Sequence, residues 1–125
     1  FGACALPSGS TFGVNANIIC GEEDQDWLLG YLNSSLVTYF VRGILLRTNM
    51  ITSGYVSRIP LISFSEDERR ELSAISRHAI DTKAQKDSYQ SIISEIDHIV
   101  FQAAGISQSS MRQVNEFCRD VIRRT

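Results

Sequence analysis

Between Asp26 and Glu66 the chain runs for 39 residues without an Asp or a Glu, and within them stand Arg42, Arg47 and Arg58. Thr48, Asn49, Thr52, Ser53, Tyr55 and Ser57 lie between or beside the last two arginines. Guanidinium, hydroxyl and amide groups of this kind donate to phosphate oxygens and to the edges of bases. A segment of local charge +3 with no carboxylate in it suits an anionic partner. The whole chain is different: 12 Lys and Arg against 14 Asp and Glu give -2, which argues against coating nucleic acid without regard to sequence. Residues 65–125 hold nine basic and ten acidic side chains, the mixture of solvated helix faces with i,i+4 pairs.

Other chemistry has little to stand on. His78 and His98 are 20 positions apart and form no H-E-x-x-H pattern, so both read as helix-surface histidines. The glycines form neither G-x-G-x-x-G nor G-x-x-x-x-G-K, leaving no phosphate-cradling loop. Cys4, Cys20 and Cys118 lack metal-type spacing and sit among apolar neighbours; they are expected to be buried free thiols of a reducing, cytoplasmic protein. No catalytic residue, cofactor site or metal site is expected in these 125 residues.

The elements that must position the polar segment follow from periodicity. At 43% hydrophobic residues and two prolines the chain is expected to fold, as one small domain. It opens on Phe1-Gly2-Ala3-Cys4-Ala5-Leu6 as though already inside a strand, and is expected to be a piece of a longer protein. Phe12 to Cys20 alternates between apolar and mixed positions, the pattern of a half-buried strand. The acidic run 22–26 then breaks it, with Asp24 or Asp26 as a helix cap. From Trp27 to about Leu46 the pattern predicts one helix, apolar almost all round and therefore central. Its exception is a stripe of Gly30, Ser34, Thr38 and Arg42, where either another backbone or a ligand could come close. The uncharged apolar stretch from Trp27 to Val41 is 15 residues long, short of the roughly 20 that span a membrane.

Residues 47–62 read as a loop, a short strand and a tie-down at Ile59-Pro60-Leu61-Ile62. Ser65 and Glu68 form a capping box, and the 3,4 spacing of Leu72, Ile75, Ala79, Tyr89, Ile93, Ile96, Val100 and Ala103 predicts long helices. The seam falls on Thr82 and Lys86, which favours two helices meeting near 83–88 over one of about 39 residues. Gly105 is a stop and Ser107 a new cap. A last helix with Met111, Val114, Phe117, Cys118, Val121 and Ile122 on one face is expected to lie antiparallel to its predecessor. The fold class is thus α+β, mostly helical: short N-terminal strands with a buried central helix, then a C-terminal bundle of long helices.

Three landmarks occur in a telling order. Leu28-Leu29-Gly30-Tyr31-Leu32-Asn33-Ser34-Ser35-Leu36 is followed by Tyr39-Phe40; then come Gly54-Tyr55-Val56 and Arg58-Ile59-Pro60-Leu61; then Ser94-Glu95-Ile96-Asp97-His98-Ile99-Val100-Phe101 and Ala104-Gly105-Ile106-Ser107. The set resembles the target-recognition region of bacterial adenine-specific DNA methyltransferases, which typically read "LLGLLNSKL", an aromatic pair, "IPIP" and "EIDxLVYxLYGLT". Ala103-Ala104 stands where that family often has Leu-Tyr, and Ile62-Ser63 replaces the second proline region.

The resemblance implies a non-catalytic, DNA-reading part of a restriction-modification enzyme: residues 1–64 a partial target-recognition region, 65–125 a C-terminal helical region. Its partners would be double-stranded DNA and an N-terminal catalytic domain of the same chain. That domain would carry S-adenosylmethionine and the Asn-Pro-Pro-aromatic motif, which has no counterpart in this sequence. Arg42, Arg47, Thr48, Asn49, Thr52, Ser53, Tyr55 and Arg58 would bind DNA, with Arg47 and Arg58 on phosphate or guanine and Tyr55 as an apolar or stacking contact. The specificity subunit of a type I restriction system shares several of these features. A helical protein-interaction domain would explain the seam alone, without the acid-free segment.

Overall fold

The computed structural model describes residues 2–11, 19, 21, 25–45, 51–82 and 86–124. Every regular element among them is helical: α1 (Asp26–Leu32), α2 (Ser35–Tyr39), a π-helical turn (Phe40–Leu45), α3 (Ser53–Val56), α4 (Glu66–Asp81), α5 (Lys86–Ala104) and α6 (Gln108–Arg124). The α+β expectation is therefore corrected to all-helical. Residues 2–6 carry no strand, and the short strand expected near residues 50–58 is instead the single turn α3. Most of the strand expected over Phe12 to Cys20 lies outside the described residues.

The long helix expected from Trp27 to about Leu46 is broken at Asn33 and Ser34. Ser34 takes an extended backbone at φ -68°, ψ 155°, and its hydroxyl accepts from Val37 N–H, so it is the N-cap of a new helix rather than one step of a small-residue stripe. Apolar patterning concealed this, because Leu36, Val37 and Val41 remain buried beyond the break. After Tyr39 the hydrogen bonding widens into a π turn, a local geometry that often marks functional segments.

At its start α1 differs in detail: Gln25 occupies the N-cap without a side-chain bond, and Asp26 sits in the first turn, where it meets Arg77 of α4 at 2.6 Å. Gly30 lies in the contact between α1 and α4; a Cβ there would stand 2.9 Å from Ser76 Oγ and 3.4 Å from the Leu72 carbonyl oxygen. Trp27 lies edge-on to Phe64 at 6.0 Å and beneath the Arg69 guanidinium at 4.5 Å. The first member of the stripe is thus a packing contact.

The C-terminal helices follow their signals. Ser65 accepts from Glu68 N–H at 3.2 Å and the Glu68 carboxylate accepts from Ser65 N–H at 2.8 Å, both halves of the capping box. Two helices stand on either side of the weak part of the seam, as expected, α4 ending at Asp81 and α5 beginning at Lys86. Gly105 ends α5 in the left-handed region at φ 62°, and Ser107 Oγ accepts from Ser110 N–H to start α6. Among the described residues the principal partner of α6 is α2. A single core holds the elements together, with Tyr31, Val37, Val41, Leu72 and Val100 at its centre and Ile96, Val114 and Cys118 around them.

Candidate nucleic-acid interface

Of the eight residues expected to bind DNA, Arg42, Thr52, Ser53, Tyr55 and Arg58 are described; Arg47, Thr48 and Asn49 lie outside the described residues. Arg42 projects from the π turn and is exposed, as are Thr52, Ser53 and Arg58, while Tyr55 is half-buried. Neither arginine forms an ion pair with a described residue. Thr52 precedes α3 without a side-chain cap bond, leaving its hydroxyl unused at the helix end. The π turn and α3 pack against each other, so the backbone segments bearing Arg42, Ser53 and Tyr55 are neighbours. Such a surface offers donors and positive charge without an acid between Asp26 and Glu66.

The core holds this surface from below. Gly43, next to Arg42, lies over the Phe117 ring, whose Cζ would be 3.3 Å from a Cβ at that position. Phe117 in turn meets Tyr39 edge-to-face at 5.3 Å. On the far side of α3, Ile59 and Ile62 pack on the core, and the buried Tyr31 hydroxyl donates to the Pro60 carbonyl. The tie-down expected at Ile59-Pro60-Leu61-Ile62 is thereby a specific bond. Burial pushes the Tyr31 phenol up to about 12, so it remains a donor at neutral pH.

The break between α1 and α2 is fastened just as specifically. Asn33 uses its whole amide: Oδ1 accepts from Ala3 N–H at 3.0 Å, and Nδ2 donates to the carbonyls of Ala3 and Leu29 at 3.0 and 2.9 Å. Asp97 reaches from α5 to the first residue of α2, accepting from Ser35 N–H at 2.7 Å and from Ser35 Oγ at 2.5 Å. Cys118 Sγ donates to the Ser35 carbonyl at 3.3 Å. Burial raises the Asp97 pKa, an effect the two Ser35 bonds only partly offset. Burial foremost, then the Asp97 charge, also raises Cys118.

Tyr31, Asn33, Ser35 and Asp97 were not expected as functional residues. The signal for them was three consecutive polar residues, Asn33-Ser34-Ser35, in an otherwise apolar helix, and an Asp on the apolar side of α5. Cys118 is a buried free thiol as expected, whereas Cys4 is free but exposed, because residues 2–11 lie outside regular structure. Cys20 lies outside the described residues. His78 and His98 are both exposed on their helices.

Shallow grooves also occur among the described residues. One of about 450 Å³ runs between α4 and α5 beside Glu71, Glu95 and His98, and one of about 390 Å³ lies at the turn from α5 to α6 beside Phe101 and Met111. Among the described residues no group of His, Cys, Asp and Glu is arranged to hold a metal ion, and no helix is long and apolar enough to cross a membrane. No protein-family model, curated protein or solved structure matches the chain.

Proposed function

We propose that the chain is the DNA sequence-recognition portion of an adenine-specific DNA methyltransferase of the restriction-modification type. An enzyme that methylates adenine within a duplex must extrude the base, and it needs a separate module to hold the flanking sequence while it does so. In this reading the exposed Arg42 and Arg58 meet phosphate or guanine, Thr52 and Ser53 read hydrogen bonds, and Tyr55 supplies an apolar contact. A catalytic domain elsewhere in the parent protein supplies the methyl group from S-adenosylmethionine, in the cytoplasm, where the DNA is.

The observation that carries the reading is how the three landmarks meet. Tyr31, within Leu-Leu-Gly-Tyr-Leu-Asn-Ser, bonds Pro60, and Ser35, at the end of the same run, bonds Asp97 of Glu-Ile-Asp. Motifs that resemble one family in order also form one physical unit beneath the acid-free surface. That is the relation expected of a scaffold whose task is to present that surface.

The test is selection of random-sequence duplexes on the purified chain at several salt concentrations. Enrichment of a consensus, with an affinity that falls as salt rises, supports the reading. Binding is expected to be weak, since residues 1–64 would be only part of the recognition region, and equal retention of all duplexes at every salt concentration overturns the reading.

A further inference from the structure

We infer that Tyr31 is a positioning residue for DNA recognition: its bond to the Pro60 carbonyl sets where Arg58 and α3 stand relative to Arg42. The inference rests on the DNA reading above and adds to it the device that gives the surface its shape.

Arg42 and Arg58 belong to segments held by different means. The π turn carrying Arg42 continues directly from α2 and is seated on α6 through Gly43 and Phe117. Arg58 follows α3, a single turn whose own backbone bonds are local: Tyr55 and Val56 N–H to the Thr52 carbonyl, Ser57 N–H to Ser53, Arg58 N–H to Tyr55 and Ile59 N–H to Val56. None of these local bonds ties α3 to the rest of the molecule. The described hydrogen bond that does so on its C-terminal side comes from Tyr31, two residues beyond Arg58 in sequence at Pro60.

Tyr31 is itself held in the core. Its side chain is fully buried and lies edge-to-face with Phe64 at 5.4 Å, and its helix is fixed to α4 at the Gly30 crossing. Removing only the hydroxyl keeps ring, volume and aromatic contact. Tyr31→Phe therefore removes the hydrogen bond that fixes the α3 side of the surface, while the core stays filled and Ile59 and Ile62 stay packed on it. Two rigidly spaced cations discriminate among DNA sequences by demanding one backbone geometry, whereas two independently moving cations retain phosphate affinity and lose discrimination.

The experiment compares wild-type chain and Tyr31→Phe by two measurements. Hydrogen exchange at the amides of Tyr55, Val56, Arg58 and Ile59 is expected to speed up about tenfold, the loss of one anchoring bond, while amides of α4, α5 and α6 keep their rates. Unchanged exchange at those four amides overturns the tether. Selection from a pool of random 30-bp duplexes is expected to return a blurred consensus for the variant, with the salt dependence of binding unchanged. A consensus as sharp as that of the wild type overturns the positioning role. If the wild-type chain enriches no consensus, the DNA reading itself has failed and the inference falls with it, a result distinct from the other two because it appears without the substitution.

Discussion

The Asp97 carboxylate accepts from both the backbone N–H and the hydroxyl of Ser35, so that a residue of α5 caps a helix 62 positions earlier in the chain. Helix starts leave N–H groups without intrahelical partners, and they usually find them in a neighbouring side chain. Here Ser34 supplies one acceptor locally and Asp97 another from across the core. The angle between α1 and α2 is therefore a tertiary property.

Removing that acceptor should be costly. Asp97→Ala leaves the partly buried Ser35 N–H without its partner and is expected to destabilise the chain by about 2 kcal/mol, read from urea unfolding. Asp97→Asn keeps an acceptor for the N–H and should cost roughly half as much, because burial already disfavours the charge. An Asn variant as unstable as the Ala variant at neutral pH would show that the charge itself holds the break.

The same group carries a pH signature. Its folded pKa is raised above the ordinary carboxylate range, by burial first, so the folded chain binds this proton more readily than the unfolded chain. Its contribution to stability is fully present below the unfolded pKa and is lost as pH rises through the folded value. The stability gap between wild type and Asp97→Ala should accordingly widen on acidification; a gap that narrows contradicts the sign.

At the α1–α4 crossing, Gly30→Ala places a Cβ 2.9 Å from Ser76 Oγ and should cost about 1–3 kcal/mol. The Ser76 hydroxyl is buried and has no hydrogen-bond partner, so Ser76→Ala alone should be neutral or slightly stabilising. Because the two positions touch, the double variant should recover part of the Gly30→Ala loss. Strict additivity in a double-mutant cycle would mean that the Leu72 carbonyl, not Ser76, limits the approach.

On the surface, Arg42→Ala and Arg58→Ala should each weaken duplex binding and reduce the salt dependence of log K by about one phosphate contact, roughly 0.9 in slope. Melting temperatures should hardly move, since both side chains are exposed. Binding that is unchanged at several salt concentrations would remove these residues from the interface.

Much of the C-terminal half was legible in the sequence because its signals are local: a Ser and Glu three apart, a Gly after the last apolar position, a seam that weakens at Thr82. What sequence hid was decided at a distance. Nothing local distinguishes Ser34 as a small residue in a continuous helix from Ser34 as the cap of a new one; the difference is made by Asp97 and by Asn33 clasping Ala3. Likewise the partner of α6 depends on Phe117 finding Tyr39, which no periodicity encodes. The acid-free segment was visible as composition, but the Tyr31 tether beneath it was not.

The π turn between Phe40 and Leu45 gives the fold an adjustable dial. A π turn closes its hydrogen bonds one residue later than an α turn, so deleting a single residue there can restore α geometry while the flanking helix stays seated. Each residue of an α-helix subtends about 100° around its axis. The extra residue is instead taken up within the turn, where Val41 stays in the core while Arg42 is exposed. In the function proposed above, where Arg42 is presented depends on how many residues occupy that turn as well as on which ones they are.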